Sequence, residues 1–333
     1  MEARVSAEAS ISHHQVPVGD IELHAAVCGQ GPAVVLCHGF PGLWYSWRHQ
    51  LPALAAAGYR AIALDMRGYG RSSAPTDPAA YDRVNTVADV EGVLDALDVD
   101  QAVFVGHDFG AHLVWDLPDW LPDRVRGLFQ LSVPRVKPMP IRPSDAFKYL
   151  ASQHFVHLEY FQEPGVAEAE LDPQPRRFLA TLFHALSGAN RYLDCWEHPA
   201  FVDGRRNGYL EVLPEPPALP WPWLTDTEFD YYATEFGRTG FTGGLNWYRA
   251  EDRVWEQNGA REQRPIEVPV GFIAGSVDPV LQMLGEHPFE QMEELVPGLR
   301  GAEIIDGAGH FVQMERPEAV TSAMLGFLGE VHR

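Results

Sequence analysis

The segment Val103-Phe104-Val105-Gly106-His107-Asp108-Phe109-Gly110-Ala111 constrains this chain more than any other. An apolar, β-branched run ends in Gly-x-Asp-x-Gly, and an apolar, helix-ready stretch follows. A strand that turns sharply into a helix needs glycines where its backbone crowds. The turn presents its middle residue at a strand tip and a helix N-terminus, which is how a nucleophile is exposed. Here that residue is aspartate rather than serine. A helix-capping aspartate between turn glycines is the plainer reading of the same five residues. The surrounding loops decide between the two.

Three loops match it. Cys37-His38-Gly39-Phe40-Pro41 follows an early strand and offers a backbone N–H, at Phe40, which with the N–H of Phe109 would form an oxyanion hole. His38 itself reads as structural. Gly275-Ser276-Val277-Asp278 follows the strand-like Val270–Ala274, and Gly307-Ala308-Gly309-His310 follows Ala302–Ile305. Each puts a polar side chain at the carboxyl end of a strand, where open α/β sheets bind ligands. The order nucleophile, acid, histidine is the one such a fold uses. Any one of these residues alone would read as structural; all of them in this order are hard to attribute to chance.

The periodicity agrees. Ile11–Gln15 and Ile21–Cys28 flank Gly19-Asp20 as a hairpin. Ala33–Cys37, Ala61–Leu64, Ala102–Val105 and Gly127–Ser132 read as strands, with Val87, Val90, Leu94 and Leu97 on one helical face between two of them. From about Lys137 to Thr239 the strand signal vanishes, and aromatic-rich helices broken by Pro-rich loops replace it. Strands then resume, and Pro317 opens a last helix with Ala319, Val320, Ala323, Met324, Phe327 and Leu328 on its buried stripe. The domain plan is residues 1–136 as the first part of an α/β core, 137–240 as a helical cap and 241–333 as the second part. Pro118 falls inside the helix after the elbow and should kink or shorten it.

Composition narrows the partners. With 25 Lys and Arg against 46 Asp and Glu the net charge is −21, which disfavours nucleic acid and anionic membranes. No apolar run is long enough for a membrane span, and the N-terminal stretch lacks a leader's apolar region. Cys28, Cys37 and Cys195 are odd in number and widely spaced, as in a reduced, cytoplasmic protein. The histidines are scattered with no metal-ligand spacing, and no Gly-rich phosphate loop occurs, so neither metal nor cofactor is expected. The chain is compatible with a homo-oligomer.

Aspartate at the elbow selects the chemistry. Attack by serine on an alkyl carbon would leave an ether, which water does not readily cleave. Attack by a carboxylate leaves an ester, which activated water hydrolyses. Asp108 would open a saturated carbon, His310 would deprotonate water and Asp278 would orient and charge-balance the imidazole. A halide leaving group wants N–H donors, whereas an epoxide oxygen needs a proton from a group opposite Asp108.

The segments HGFPGLWYSWRHQLPALAAAGYRAIALDMRGYGRSSAP, QAVFVGHDFGA, FQEPGVAEAEL, GFTGGLNWYR and GHFVQMERP together resemble the soluble epoxide hydrolases of the α/β-hydrolase superfamily over nearly the full chain. The resemblance implies an α/β-hydrolase core with a mostly parallel sheet and an inserted helical cap, and conversion of an epoxide to a vicinal diol with water as co-substrate. It also implies Asp108 as nucleophile, His310 as base, Asp278 as its partner and Tyr248 as one of two cap residues that protonate the epoxide. Two positions depart from the family. Phe109 stands where Trp is usual, which removes an indole N–H that dehalogenases use for halide. The other cap tyrosine, four residues before Phe161, is replaced by His157. The expectation is a His157/Tyr248 pair whose imidazole, at an ordinary pKa near 6.5, would give a pH dependence unlike that of two tyrosines. The alternatives are that Tyr160 reaches the site or that Tyr248 works alone. The aromatic content points to a largely apolar epoxide. A haloalkane or haloacid dehalogenase of the same fold, and a non-catalytic small-molecule binding protein, are the rival functions.

Overall fold

The computed structural model describes residues 10–261, 264–285 and 287–332. The first nine residues, on which part of the leader reading rests, lie outside the described residues.

Among the described residues the ten strands are β1 (Ser12–Val18), β2 (Ile21–Cys28), β3 (Ala33–Cys37), β4 (Arg60–Asp65), β5 (Ala102–His107), β6 (Val125–Leu131), β7 (Phe201–Val202), β8 (Arg205–Arg206), β9 (Val270–Gly275) and β10 (Leu299–Ile305). Eight of them form one sheet in the order β1-β2-β4-β3-β5-β6-β9-β10. The β1–β2 and β2–β4 pairs are antiparallel and every later pair is parallel. Strands β3, β5 and β9 are buried along their whole length, so they carry the continuous apolar runs that a sheet covered on both faces demands.

Helices cover both faces. The first three are α1 (Gln50–Ala56), α2 (Arg83–Ala96) and α3 (Phe109–Trp120). The segment between β6 and β9 carries α4 (Pro143–Ala151), α5 (His157–Tyr160), α6 (Val166–Leu171), α7 (Pro175–Leu186), α8 (Tyr209–Val212), α9 (Asp226–Thr239), α10 (Thr242–Arg249) and α11 (Glu251–Gly259). The last four are α12 (Pro279–Met283), α13 (Glu290–Leu295), α14 (Val312–Glu315) and α15 (Pro317–Val331). Local signals start them: Asp82 caps α2 by accepting from the Asn85 amide, and Thr225 and Glu228 form a reciprocal capping box on α9. On α15, Val320, Met324, Phe327 and Leu328 are buried.

The structure corrects one expectation and refines another. The segment after Lys137 is not strand-free, because β7 and β8 form a two-residue hairpin there. Turn residues Asp203 and Gly204, both at positive φ, close it, and nothing in a two-residue strand produces a periodic signal. Helix α3 also runs through Pro118 to Trp120. Pro118 lies near its end, so the ring interrupts only the last turn.

Side chains join the helical segment to the core. Trp44 Nε1 donates to Tyr231 Oη at 2.7 Å, and Arg48 Nε pairs with Glu228 at 2.6 Å. The Gly188 amide donates to Glu315 Oε2 at 2.8 Å. These contacts fix the helical segment over the carboxyl ends of the parallel strands. No helix among the described residues is long and apolar enough to cross a membrane.

Candidate active site

Asp108 occupies the joint between β5 and α3 with φ 53° and ψ −122°. A non-glycine residue there is strained, and such strain persists only where neighbours over-determine it. Two glycines permit those neighbours. A Cβ on Gly39 would lie 2.0 Å from Asp108 Oδ1, and one on Gly110 would lie 2.1 Å from the Cys37 carbonyl oxygen. The loop after β3 therefore closes onto the elbow, and the Phe40 amide donates to Asp108 Oδ1 at 2.7 Å. The Phe109 amide also hydrogen-bonds the carboxylate. The two amides expected to form an oxyanion hole thus both face the aspartate carboxylate, the Phe40 amide at Oδ1.

His310 approaches the other oxygen, with Nε2 3.6 Å from Asp108 Oδ2. Its Nδ1 lies 3.2 Å from each oxygen of Asp278. Asp278 is completely buried and its Oδ1 also caps α12, accepting from the Val280 amide at 2.9 Å. The backbone of His310 is held as firmly as its ring. Its amide donates to the Leu186 carbonyl at 2.9 Å, and its own carbonyl accepts from His107 Nε2 at 2.7 Å and Ser132 Oγ at 3.0 Å. Burial first, then the charge of His310, pushes the His107 pKa down to about 4, so it is a neutral donor. Sequence reading missed His107 and Ser132 in this role, since neither differs in pattern from a buried strand-end residue.

Charges bind the set together. Burial opposes a charge on His310, but Asp278 and Asp108 outweigh it and raise the imidazole pKa. Burial likewise opposes the Asp108 charge, yet the imidazole of His310 beside it holds the carboxyl well below its usual range. The geometry thus favours a proton on His310 and a charge on Asp108.

Two ionisable side chains close the site from above. The Tyr248 ring, on α10, meets Phe109 edge-on at 4.6 Å between centroids, Phe161 at 4.9 Å and Phe40 at 5.6 Å. His157, at the start of α5, meets Tyr248 at 6.0 Å. Burial, then the Asp108 carboxylate, raises the Tyr248 pKa well above that of a free phenol. Burial lowers His157 to about 4. The expected titration of His157 near neutrality is therefore corrected: desolvation leaves a neutral imidazole across the physiological range. Tyr160 does not reach this chamber; its hydroxyl donates to Glu170 Oε2 at 2.7 Å, and Arg206 stacks on its ring. His38 is satisfied by backbone, with Nε2 accepting from the Met66 amide at 3.1 Å and Nδ1 2.8 Å from the Gly39 carbonyl.

Beyond the Phe109 ring lies a cavity of about 200 Å³. Trp115, Trp247 and Trp255 give it aromatic walls, while His112 and Glu251 add ionisable ones. His112, one helical turn after Asp108, is solvent-exposed and stands at the wall of this cavity. Burial, then the Asp108 charge, raises the Glu251 pKa to about 8. Trp247 Nε1 is committed to the Arg67 carbonyl at 3.0 Å and Trp115 Nε1 to Val133 at 2.8 Å, so these two indoles offer no N–H to a halide. Cys28, Cys37 and Cys195 are buried and unbridged.

Residues 32–317 match the alpha/beta hydrolase fold family. The chain is 43% identical over 315 residues to epoxide hydrolase A of Mycobacterium tuberculosis, covering 94% of this chain and 96% of that one. It is 38% identical over 322 residues to epoxide hydrolase 2 of Siraitia grosvenorii, covering 96% and 98%. Among solved structures, epoxide hydrolase A from Mycobacterium thermoresistibile superposes with a TM-score of 0.87 at 44% identity, covering 96% of this chain and 98% of that one. An epoxide hydrolase from an endophytic Streptomyces gives 0.89 at 38%, covering 98% and 97%. With its parallel sheet, its elbow and these relatives along nearly its whole length, the chain belongs to the epoxide hydrolases of the α/β-hydrolase fold.

Proposed function

We propose that this epoxide hydrolase works through a covalent ester on Asp108, and that His157 and Tyr248 receive the epoxide oxygen. The observation that carries the reading is the unequal treatment of the two carboxylate oxygens. Oδ1 is held by the Phe40 amide, while Oδ2 faces His310. Oδ2 is thus the attacking atom and Oδ1 becomes the carbonyl oxygen of the ester, already seated where negative charge develops next.

In the first step Oδ2 bonds to an epoxide carbon as the C–O bond breaks. The alkoxide takes its proton from Tyr248, while the neutral His157 donates a hydrogen bond. Forming the ester removes the Asp108 charge, and with it part of what raised the His310 pKa. His310 then releases a proton, which balances the one Tyr248 gave up, and becomes a base. In the second step Nε2 takes a proton from water as the hydroxide attacks Asp108 Cγ. The oxyanion forms on Oδ1 between the Phe40 and Phe109 amides. Collapse expels the diol oxygen, protonated by His310, and the resulting carboxyl passes its proton back to His310. Asp278 steadies the imidazolium in each protonated state.

The cavity beyond Phe109, with its walls of Trp115, Trp247 and Trp255, would take the body of a largely apolar epoxide, and its charged residues, among them Arg83, Asp116, Arg135 and Glu251, would meet any polar substituent. The helical segment between β6 and β9, together with the boundaries 137 and 240, is read as the cap over the core, and a reduced cytoplasmic setting fits the unbridged cysteines. Turnover separates this function from dehalogenation. Styrene oxide should give phenylethanediol, while haloalkanes and haloacids should release no halide. Halide release without diol would overturn it.

A further inference from the structure

We propose that Tyr209 and Tyr192 form a one-directional hydrogen-bond relay that fixes the tautomer of His157, making both tyrosines positioning residues for epoxide opening. The inference rests on the reading of His157 as a donor to the epoxide oxygen.

The hydroxyls of Tyr192 and Tyr209 lie 2.5 Å apart, and Tyr192 Oη lies 2.8 Å from His157 Nδ1. Both tyrosines are buried. A neutral imidazole carries one N–H, on Nδ1 or on Nε2. With the proton on Nδ1, the ring would donate to Tyr192 and leave Nε2 a bare lone pair for the incoming epoxide oxygen. With the proton on Nε2, it would offer that oxygen a donor.

Proton counting chooses between these. Among the described residues the Tyr209 hydroxyl has one partner, Tyr192. If Tyr192 donated to Tyr209, the Tyr209 proton would be buried without an acceptor, which costs more than a hydrogen bond gains. Tyr209 therefore donates to Tyr192. The Tyr192 proton must then go to His157 Nδ1 or to Cys195, whose thiol also lies within reach. An imidazole nitrogen is much the better acceptor. The relay runs Tyr209 to Tyr192 to Nδ1, and the His157 proton sits on Nε2.

The surroundings hold the relay in place. Tyr209 stacks on His157 with planes 12° apart. Glu170 clamps the start of α8 by accepting from the Tyr209 amide at 2.9 Å and the Leu210 amide at 3.1 Å. The same carboxylate takes the Tyr160 hydroxyl. The tyrosine beside the altered position thus braces the relay rather than entering the site.

The test resolves the two chemical steps by rapid-quench mass spectrometry with styrene oxide. Tyr192→Phe should slow formation of the alkyl-enzyme roughly tenfold with its hydrolysis rate unchanged, while Tm falls because the Tyr209 hydroxyl loses its acceptor. His157→Ala should slow it by about 100-fold, and Tyr192→Phe should add nothing on that background. In 15N-histidine NMR, the ring signal that His157→Ala removes should be that of an Nε2–H tautomer. If His157→Ala is slow but Tyr192→Phe alkylates at the wild-type rate, or His157 is protonated on Nδ1, the relay is refuted. If His157→Ala also alkylates at the wild-type rate, the donor reading falls and the relay with it.

Discussion

Replacing Asp278 with Asn should separate the two chemical steps. Asn keeps the shape of the side chain and its oxygen can still cap α12 through the Val280 amide, so the fold should hold. What disappears is a full negative charge 3.2 Å from His310 Nδ1. Two unit charges about 4 Å apart, at an effective dielectric constant near 20, interact by roughly 4 kcal/mol. That stabilises the imidazolium that forms as water attacks the ester. Its loss should slow hydrolysis of the alkyl-enzyme by about 10³-fold. The first step needs Asp108 as a carboxylate and no new charge on His310, so it should change by less than about tenfold. Rapid-quench mass spectrometry during turnover of styrene oxide reads both rates. The variant should accumulate alkyl-enzyme to nearly one equivalent, whereas the wild type should hold much less. An equal fall in both rates, or turnover without accumulation, would refute the assignment of Asp278 to the hydrolytic step.

Other outcomes follow from the same geometry. Tyr248→Phe should slow alkylation by about 100-fold and leave hydrolysis of any ester formed unchanged, as measured by the same rapid-quench method. Glu251 should make stability depend on pH. Its folded pKa, about 8, lies above its ordinary 4.5, so its stabilising contribution is full below pH 4.5 and is lost as pH rises through 8. Glu251→Gln should therefore match the wild type in Tm at pH 5 and exceed it at pH 9. An unchanged difference in Tm between those pH values would refute the burial argument.

Much of this arrangement was legible in the sequence because it is local. A strand followed by Gly-x-Asp-x-Gly, and strands followed by Asp278 and His310, need only short-range pattern and chain order. The roles of Phe40 and Phe109 were legible too, since they are carried by backbone next to marked glycines. The reason for the glycines was less visible. It is the approach of a separate loop, and Asp108 itself takes the strained backbone angle. What the sequence hid depends on contacts between distant segments. Tyr192 and Tyr209 reach His157 across 35 and 52 positions of chain, and no spacing rule links them. His107 and Ser132 look like strand-end residues until the His310 loop folds over them. The pKa of His157 was misjudged because desolvation belongs to the packed chamber, not to the residue. The place of His112 on the cavity wall became clear only once α3 was seen beside Trp247 and Glu251.

The central claim is that Asp108 forms an alkyl ester that His310 helps water to cleave. Treating the His310→Gln variant with styrene oxide, digesting it and mapping the added mass by tandem mass spectrometry tests that claim directly. The account predicts about one equivalent of adduct on the side chain of Asp108, stable over the time in which the wild type completes many turnovers. Adduct on any other residue, or diol released at the wild-type rate with no adduct, would contradict it.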